Sequence, residues 1–145
     1  MNVKTVNWLD SSAVLALFLA EPGFEIVRDL LAEAAKGRRE VRVAQISLTE
    51  IAHSVCRDYD EDTAREDIRL LRELAVIIDA PTDAQCLEAG LLRSRVKLST
   101  ADATIAIQAM AAGAELLHKD PEFESVPGLR QRSLPYKAKK ERAPR

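Results

Sequence analysis

Leu98 to Phe123 reads LSTADATIAIQAMAAGAELLHKDPEF, the order of a helix, a glycine stop, a short apolar strand and an acidic turn. Ser99 or Thr100 can cap the helix start, and Gly113 suits the left-handed residue just past its end. Ile105, Ala109 and Ala112 recur at helical spacing and give one apolar face. Ala114 to His118 follows as a strand. Asp102 then lies in the first turn of the helix and Asp120 just beyond the strand's carboxyl end. In an αβ unit the strand runs antiparallel to the helix, so both carboxylates come to one rim of the sheet. Two acids on one rim suit a hard divalent cation such as magnesium or manganese, which prefers carboxylate oxygen.

Upstream, the same alternation repeats. Val3 to Leu9 is β-prone and reads as the central strand. Asp10-Ser11-Ser12 leads into the apolar helix AVLALFLA, which Glu21-Pro22-Gly23 breaks. A helix from Phe24 to Lys36 carries Ile26, Leu30, Leu31 and Ala34, and Gly37 ends it. Val41 to Ile46 is the next strand. Ser47 is expected to open a helix bearing Leu48, Ile51, Ala52 and Val55. After an acidic corner at Asp58 to Asp62, a helix runs to Leu74 and a strand covers Ala75 to Ile78. Thr82 caps a helix through Val96. Downstream, Pro127-Gly128 turns the chain into an edge strand, Arg132 to Leu134. Strands alternating with helices imply an α/β sandwich with a mostly parallel sheet. Ligands of such sheets bind beyond the carboxyl ends of the strands, near the point where strand order reverses.

Composition narrows the function classes. At 145 residues the chain is expected to be one domain, residues 1–135, followed by a basic, flexible tail, 136–145. Aromatic residues make up only 4%, which argues against a base-stacking platform for single strands. The net charge is −2, and Lys137 to Arg145 holds five basic residues against one acid, so the rest of the chain is acidic. Bound cations would reverse the sign of an acidic pocket, so this does not exclude a nucleic-acid substrate. Cys56 and Cys86 are too few for a disulfide framework or a zinc site and read as reduced thiols. No apolar run approaches a membrane span, and the N-terminus lacks a secretory signal's apolar region, so the expected setting is the cytoplasm.

Four acids stand at strand ends or helix starts: Asp10, Glu50, Asp102 and Asp120. Each has a structural explanation by itself. Asp10 can cap a helix, Ser47-Leu-Thr-Glu50 and Ser99-Thr-Ala-Asp102 match capping boxes, and Asp120 before Pro121 can start a turn. Together they would crowd one edge of one sheet and raise one another's pKa unless cations relieve the repulsion. Such ions can bind a phosphodiester and activate water.

This order of acids resembles the PIN-domain nucleases, and within them the VapC-type toxins of toxin–antitoxin pairs. Leu9-Asp10-Ser11-Ser12-Ala13, Ser47-Leu-Thr-Glu50-Ile51 and Ser99-Thr-Ala-Asp102-Ala103 with Ile105-Ala106 carry the resemblance. Ala112-Gly113-Ala-Glu-Leu-Leu-His-Lys-Asp120-Pro-Glu-Phe123 completes it, and the likeness spans about residues 3 to 134. It implies a PIN-like three-layer α/β/α sandwich with a mostly parallel five-stranded sheet. It also implies a Mg2+- or Mn2+-dependent endoribonuclease that hydrolyses RNA with metal-activated water, a cognate antitoxin that blocks the site, and often a homodimer. By residue match, Asp10, Glu50, Asp102 and Asp120 are the catalytic, metal-binding acids, and Ser12 is a polar residue that orients the site. His118 departs from the family, in which many members carry Thr at that place. It either replaces the missing hydroxyl as a hydrogen-bond donor or only closes the strand.

Arg57 and Arg93, with Arg95, can meet RNA phosphates or form a solvated face. His53 shares the helix face of Glu50 and reads as a packed or solvated histidine rather than a ligand of a hard metal. Leu30, Leu31 and Ala34 can pack in the core or receive an antitoxin helix. The alternative to a ribonuclease is a non-cleaving RNA- or protein-binding module on the same fold. A phosphatase that forms an aspartyl-phosphate usually wants a second acid two residues after its nucleophile, and position 12 is Ser.

Overall fold

The computed structural model describes residues 3–136. Trp8 and Leu9 are both fully buried, because β1 (Thr5–Leu9) is covered on both faces. The chain continues through α1 (Ser11–Phe18), α2 (Phe24–Ala35), β2 (Arg39–Ala44), α3 (Gln45–Asp58), α4 (Glu61–Glu73), β3 (Ile77–Asp79) and α5 (Asp83–Arg95). It ends with α6 (Thr100–Ala111), β4 (Glu115–His118), a 3-10 turn (Pro121–Ser125) and β5 (Gln131–Ser133). The sheet order is β3-β2-β1-β4-β5, and every pair is parallel rather than mostly so. Strand order therefore reverses between β1 and β4, which is where a crevice forms in an open α/β sheet.

The two faces of the sheet bury separate cores. Leu9, Val41, Val43 and Leu117 pack with Ala13, Val27, Leu30, Leu31, Ile51, Val55 and Leu71, so α1 to α4 form one layer. Trp8 and Leu116 pack with Ala89, Leu92, Ile105, Ala106, Ala109 and Phe123, so α5, α6 and the 3-10 turn form the other. This is the expected three-layer α/β/α sandwich. Leu30 and Leu31 lie inside the first core and Ala34 packs partly against it, the packing role of that helix stripe.

Several local expectations shift. Val3 is 92% exposed and precedes β1. Strand β2 starts at Arg39, not Val41, because Arg39 and Glu40 already pair with Thr5 and Val6. It ends at Ala44, and α3 begins at once with no side-chain cap. Ser47 thus lies within the first turn rather than before it, and the capping box to Glu50 does not form. Its hydroxyl is buried without a hydrogen-bond partner among the described residues. Strand β3 covers Ile77–Asp79 rather than Ala75–Ile78; Arg42 binds Glu40 and Asp79 at 2.8 Å each and ties β3 to β2 in that register. Strand β5 likewise starts one residue early, at Gln131.

Other signals hold. Thr82 and Gln85 form a reciprocal capping box at α5. Gly113 has φ +63° just after α6. Gly23 has φ +94°, and a Cβ there would stand 2.9 Å from Pro135 Cδ, so both conformation and space demand glycine. Cys56 and Cys86 are exposed free thiols. Among the described residues no helix is long and apolar enough to cross a membrane. Apart from Tyr136, the basic stretch 136–145 lies outside the described residues.

Candidate metal centre

Asp10 follows β1 directly, and its amide continues the ladder by donating to Leu117 O on β4 at 3.0 Å. Its carboxylate caps α1. Oδ2 accepts from the Ser12 amide at 3.2 Å and from the Ser12 hydroxyl at 2.5 Å. Ser12 Oγ in turn accepts from the Lys119 amide at 3.0 Å. One hydroxyl therefore joins the ends of β1 and β4 across the switch point. Oδ1 of Asp10 is buried and has no hydrogen-bond partner among the described residues. A buried carboxylate oxygen left bare is costly, and a cation is the partner that would remove the cost.

The other acids close on this point from separate elements. Glu50 sits in the second turn of α3, not the first, half-buried, and accepts from Ser11 Oγ at 3.4 Å. Asp102 is the third residue of α6. Ser99 Oγ accepts its amide at 3.0 Å, so half of the expected capping box forms. The Asp102 carboxylate makes no return bond to the cap and lies instead in the field of Asp10 and Asp120. Asp120 opens the 3-10 turn, and its Oδ1 accepts from the Glu122 amide at 3.0 Å. Carboxylate oxygens of Asp102, Asp120 and Glu122 lie within 4.8 Å of one another; of the four expected acids only Asp102 and Asp120 belong to this close group, while Asp10 and Glu50 face it as neighbouring charges on the same rim. Glu122 escaped the sequence reading. Its signal was Pro121 in the first turn behind an Asp cap, which folds the second residue after the acid back toward it.

Charge crowding shows in the protonation equilibria. Burial, then the charges of Asp10 and Asp120, push Asp102 up from 3.8 to about 7. Glu50 is raised by burial and by Asp10 and Asp120. Asp10 is raised by burial, against the hydrogen bonds from Ser12 that lower it. Four acids thus share one field, as expected of carboxylates without a counter-charge. Asp79 also ends a strand but is held by Arg42.

The remaining residues separate. His118 is fully buried at the end of β4, with Nδ1 accepting from the Asp120 amide at 3.1 Å and Nε2 against Gln131 Oε1 at 2.8 Å. Arg57 pairs with its exposed neighbour Asp58 at 2.9 Å, and its described polar contacts do not reach the acids. Arg93 Nε donates to Leu98 O at 2.9 Å and so fixes the link into α6. It lines a cleft of about 660 Å3 with Lys97, Thr100 and Thr104 beside the first turn of α6. His53 is exposed near Asp58 and takes no part in the cluster.

Ser12→Ala tests the strut. Loss of a hydrogen bond of this kind costs about 1 kcal/mol of stability. Mn2+ affinity, read by calorimetry, is expected to fall about tenfold, the usual scale for a residue that orients a ligand. An unchanged affinity would remove Ser12 from the site.

Comparison places this arrangement among known folds. The PIN domain matches residues 8–129 of the chain. The VapBC2 complex from Rickettsia felis, bound to a DNA fragment from its promoter, superposes with TM-score 0.74 at 17% identity, covering 90% of this chain and 100% of that one. DNA-bound VapBC from Salmonella typhimurium gives 0.72 at 15%, covering 90% and 98%. VapC20 from Mycobacterium tuberculosis, a sarcin-ricin loop cleaving toxin, gives 0.67 at 16%, covering 85% and 95%. At these identities the likeness is one of fold. No curated protein matches the chain in sequence.

Proposed function

This chain belongs to the PIN-domain family, and on that premise we propose that it is a divalent-metal-dependent endoribonuclease, the toxin of a toxin–antitoxin pair acting in the cytoplasm. The observation that carries the reading is the convergence of Asp10, Glu50, Asp102 and Asp120 on one rim, with a buried Asp10 oxygen left unpartnered. Those four acids are the proposed catalytic and metal-binding residues, with Glu122 beside them. Oxygen donors alone suit Mg2+ or Mn2+ better than a softer ion. When bound, the ion supplies a Lewis acid that activates water and offsets the charge of the phosphate.

The chain's own groups do the rest. Ser12 and Ser11 hold Asp10 and Glu50 in place, and the Ser99 cap fixes Asp102 at the helix start. Burial and the charges of Asp10 and Asp120 raise Asp102 to about 7, and a bound cation would relieve that crowding. Phosphodiester hydrolysis proceeds without a covalent protein intermediate in this reading. Arg93 and Lys97 in the cleft beside α6 are the basic groups placed to meet RNA phosphates. Arg57 is the weaker candidate because Asp58 already engages it. The proposed partners are RNA, an antitoxin and a second copy of the chain. The toxin–antitoxin complexes among the structural neighbours support the antitoxin.

The test is purified protein on a mixed RNA substrate, with Mn2+ or Mg2+ and with chelator. Cleavage is expected with metal and none with chelator. RNA held equally under both conditions, and never cut, would replace this reading with a non-cleaving binding module on the same fold.

A further inference from the structure

On the reading that the acids hold a divalent ion, we propose that His118 is a positioning residue: its ring, locked by Gln131 on β5, holds the Asp120 backbone and so aims the Asp120 carboxylate. Nδ1 accepts the Asp120 amide at 3.1 Å. A nitrogen that accepts from an amide carries no proton, so the ring proton sits on Nε2, where Gln131 Oε1 receives it at 2.8 Å. The direction of the Gln131 amide is fixed as well, because its Nε2 donates to Phe123 O at 2.9 Å. The Phe123 ring lies against the imidazole at 4.9 Å, tilted by 50°.

Asp120 and Phe123 belong to the same 3-10 turn, and the Phe123 amide donates to Asp120 O at 3.2 Å. Gln131, His118, Asp120 and Phe123 therefore form a closed ring of hydrogen bonds around that turn. Both imidazole nitrogens are engaged inside it, so neither lone pair is free for an ion. The hydrogen bonds of His118 reach the site through the backbone of Asp120, two residues on. The edge strand, remote from the acids in sequence, becomes part of what orients them. Groups one step removed from a metal commonly set its affinity by about 10- to 100-fold.

Two substitutions separate the halves of the ring. In His118→Asn, Oδ1 can still accept the amide two residues on, the geometry of an Asx turn, but cannot reach Gln131. In His118→Gln, the side chain can reach Gln131 but releases the Asp120 amide. Mn2+ affinity of the full chain, read by calorimetry, is expected to fall about tenfold or more for His118→Gln, and by a smaller factor of about threefold for His118→Asn, which keeps the amide bond and loses only the lock. A ring that only fills space predicts the reverse order, because Asn leaves the larger void.

The metal-free protein gives an independent readout. Exchange of the Asp120 amide is expected to be slow in the unsubstituted chain and in His118→Asn, and fast in His118→Gln. Nitrogen shifts of the unsubstituted chain should place the ring proton on Nε2. Equal metal affinity and equal amide exchange in both variants, or a proton on Nδ1, would overturn the inference. If the unsubstituted chain binds no Mn2+, the metal reading fails, and the amide and tautomer measurements still decide the role of His118.

Discussion

Asp102→Asn is expected to lower RNA cleavage by roughly a thousandfold, equivalent to about 4 kcal/mol of transition-state stabilisation. Asn keeps the size of the side chain, and the Ser99 cap on the residue's amide does not depend on the carboxylate. The helix start therefore survives the change. What disappears is one negative charge from a group of acids that already repel each other. At about pH 8, where Asp102 is ionised, the metal-free variant should accordingly melt at a higher temperature than the unsubstituted protein while cutting far less RNA. This pairing of a gain in stability with a loss of activity marks a site whose charges serve chemistry at the expense of the fold. Asp10→Asn is expected to behave alike, since Asn also caps helices well. Full cleavage by both variants in a purified assay would end the nuclease reading.

The second large effect is on stability against pH. Asp102 stands at about 7 in the folded chain against 3.8 as a free side chain, and Asp10 and Glu50 are raised too. The folded state thus binds more protons than the unfolded state between those values. Stability from these groups is full below about pH 4, falls as pH rises through 7, and levels off above it. The surface carboxylates with lowered values, Asp58, Asp60 and Glu66, act the other way, but only as pH falls into the acid range.

For Asp102, screening by water at the rim reduces the full shift to a loss on the order of 2 kcal/mol. Added Mg2+ or Mn2+ should restore that loss at about pH 8 and do little at about pH 5, where protons compete for the same oxygens. Thermal midpoints with metal and with chelator across this range provide the measurement. A metal-free profile flat between about pH 5 and 8, with no response to either ion, would remove the cation from the account.

Much of this site could be read from the sequence because strand ends map onto one sheet rim. Asp10 and Asp120 follow strands whose ends are marked by a switch from apolar to polar residues, so their placement needs only topology. Asp102 was legible through the Ser99 cap. The reading of its side chain as half of a capping box fails, since Ser99 Oγ takes the Asp102 amide but the carboxylate returns no bond to the cap.

Glu50 was placed one turn too early because α3 starts directly from a strand, and Ala44 offers no polar residue to mark the start. Glu122 and Gln131 were hidden for a different reason. Their relevance depends on a 3-10 turn and on an edge strand of three residues, and neither has a periodic signature long enough to register. For His118, the sequence leaves a hydrogen-bonding role and a strand-closing role open. Only the position of Gln131, thirteen residues on, shows which nitrogen does what.

The strand order has a consequence for synthesis on the ribosome. β1 is made first, yet one of its two neighbours is β4, and the Ser12–Lys119 contact spans 107 positions of chain. A nascent chain halted before β4 exposes an unpaired flank of its own central strand, the kind of edge that invites aggregation. Until the last two strands emerge, Asp10 has no Asp120 to face and Asp120 has no Gln131 behind it. In a polypeptide of this topology the two halves of the candidate site cannot meet before β4 and the turn after it have been made.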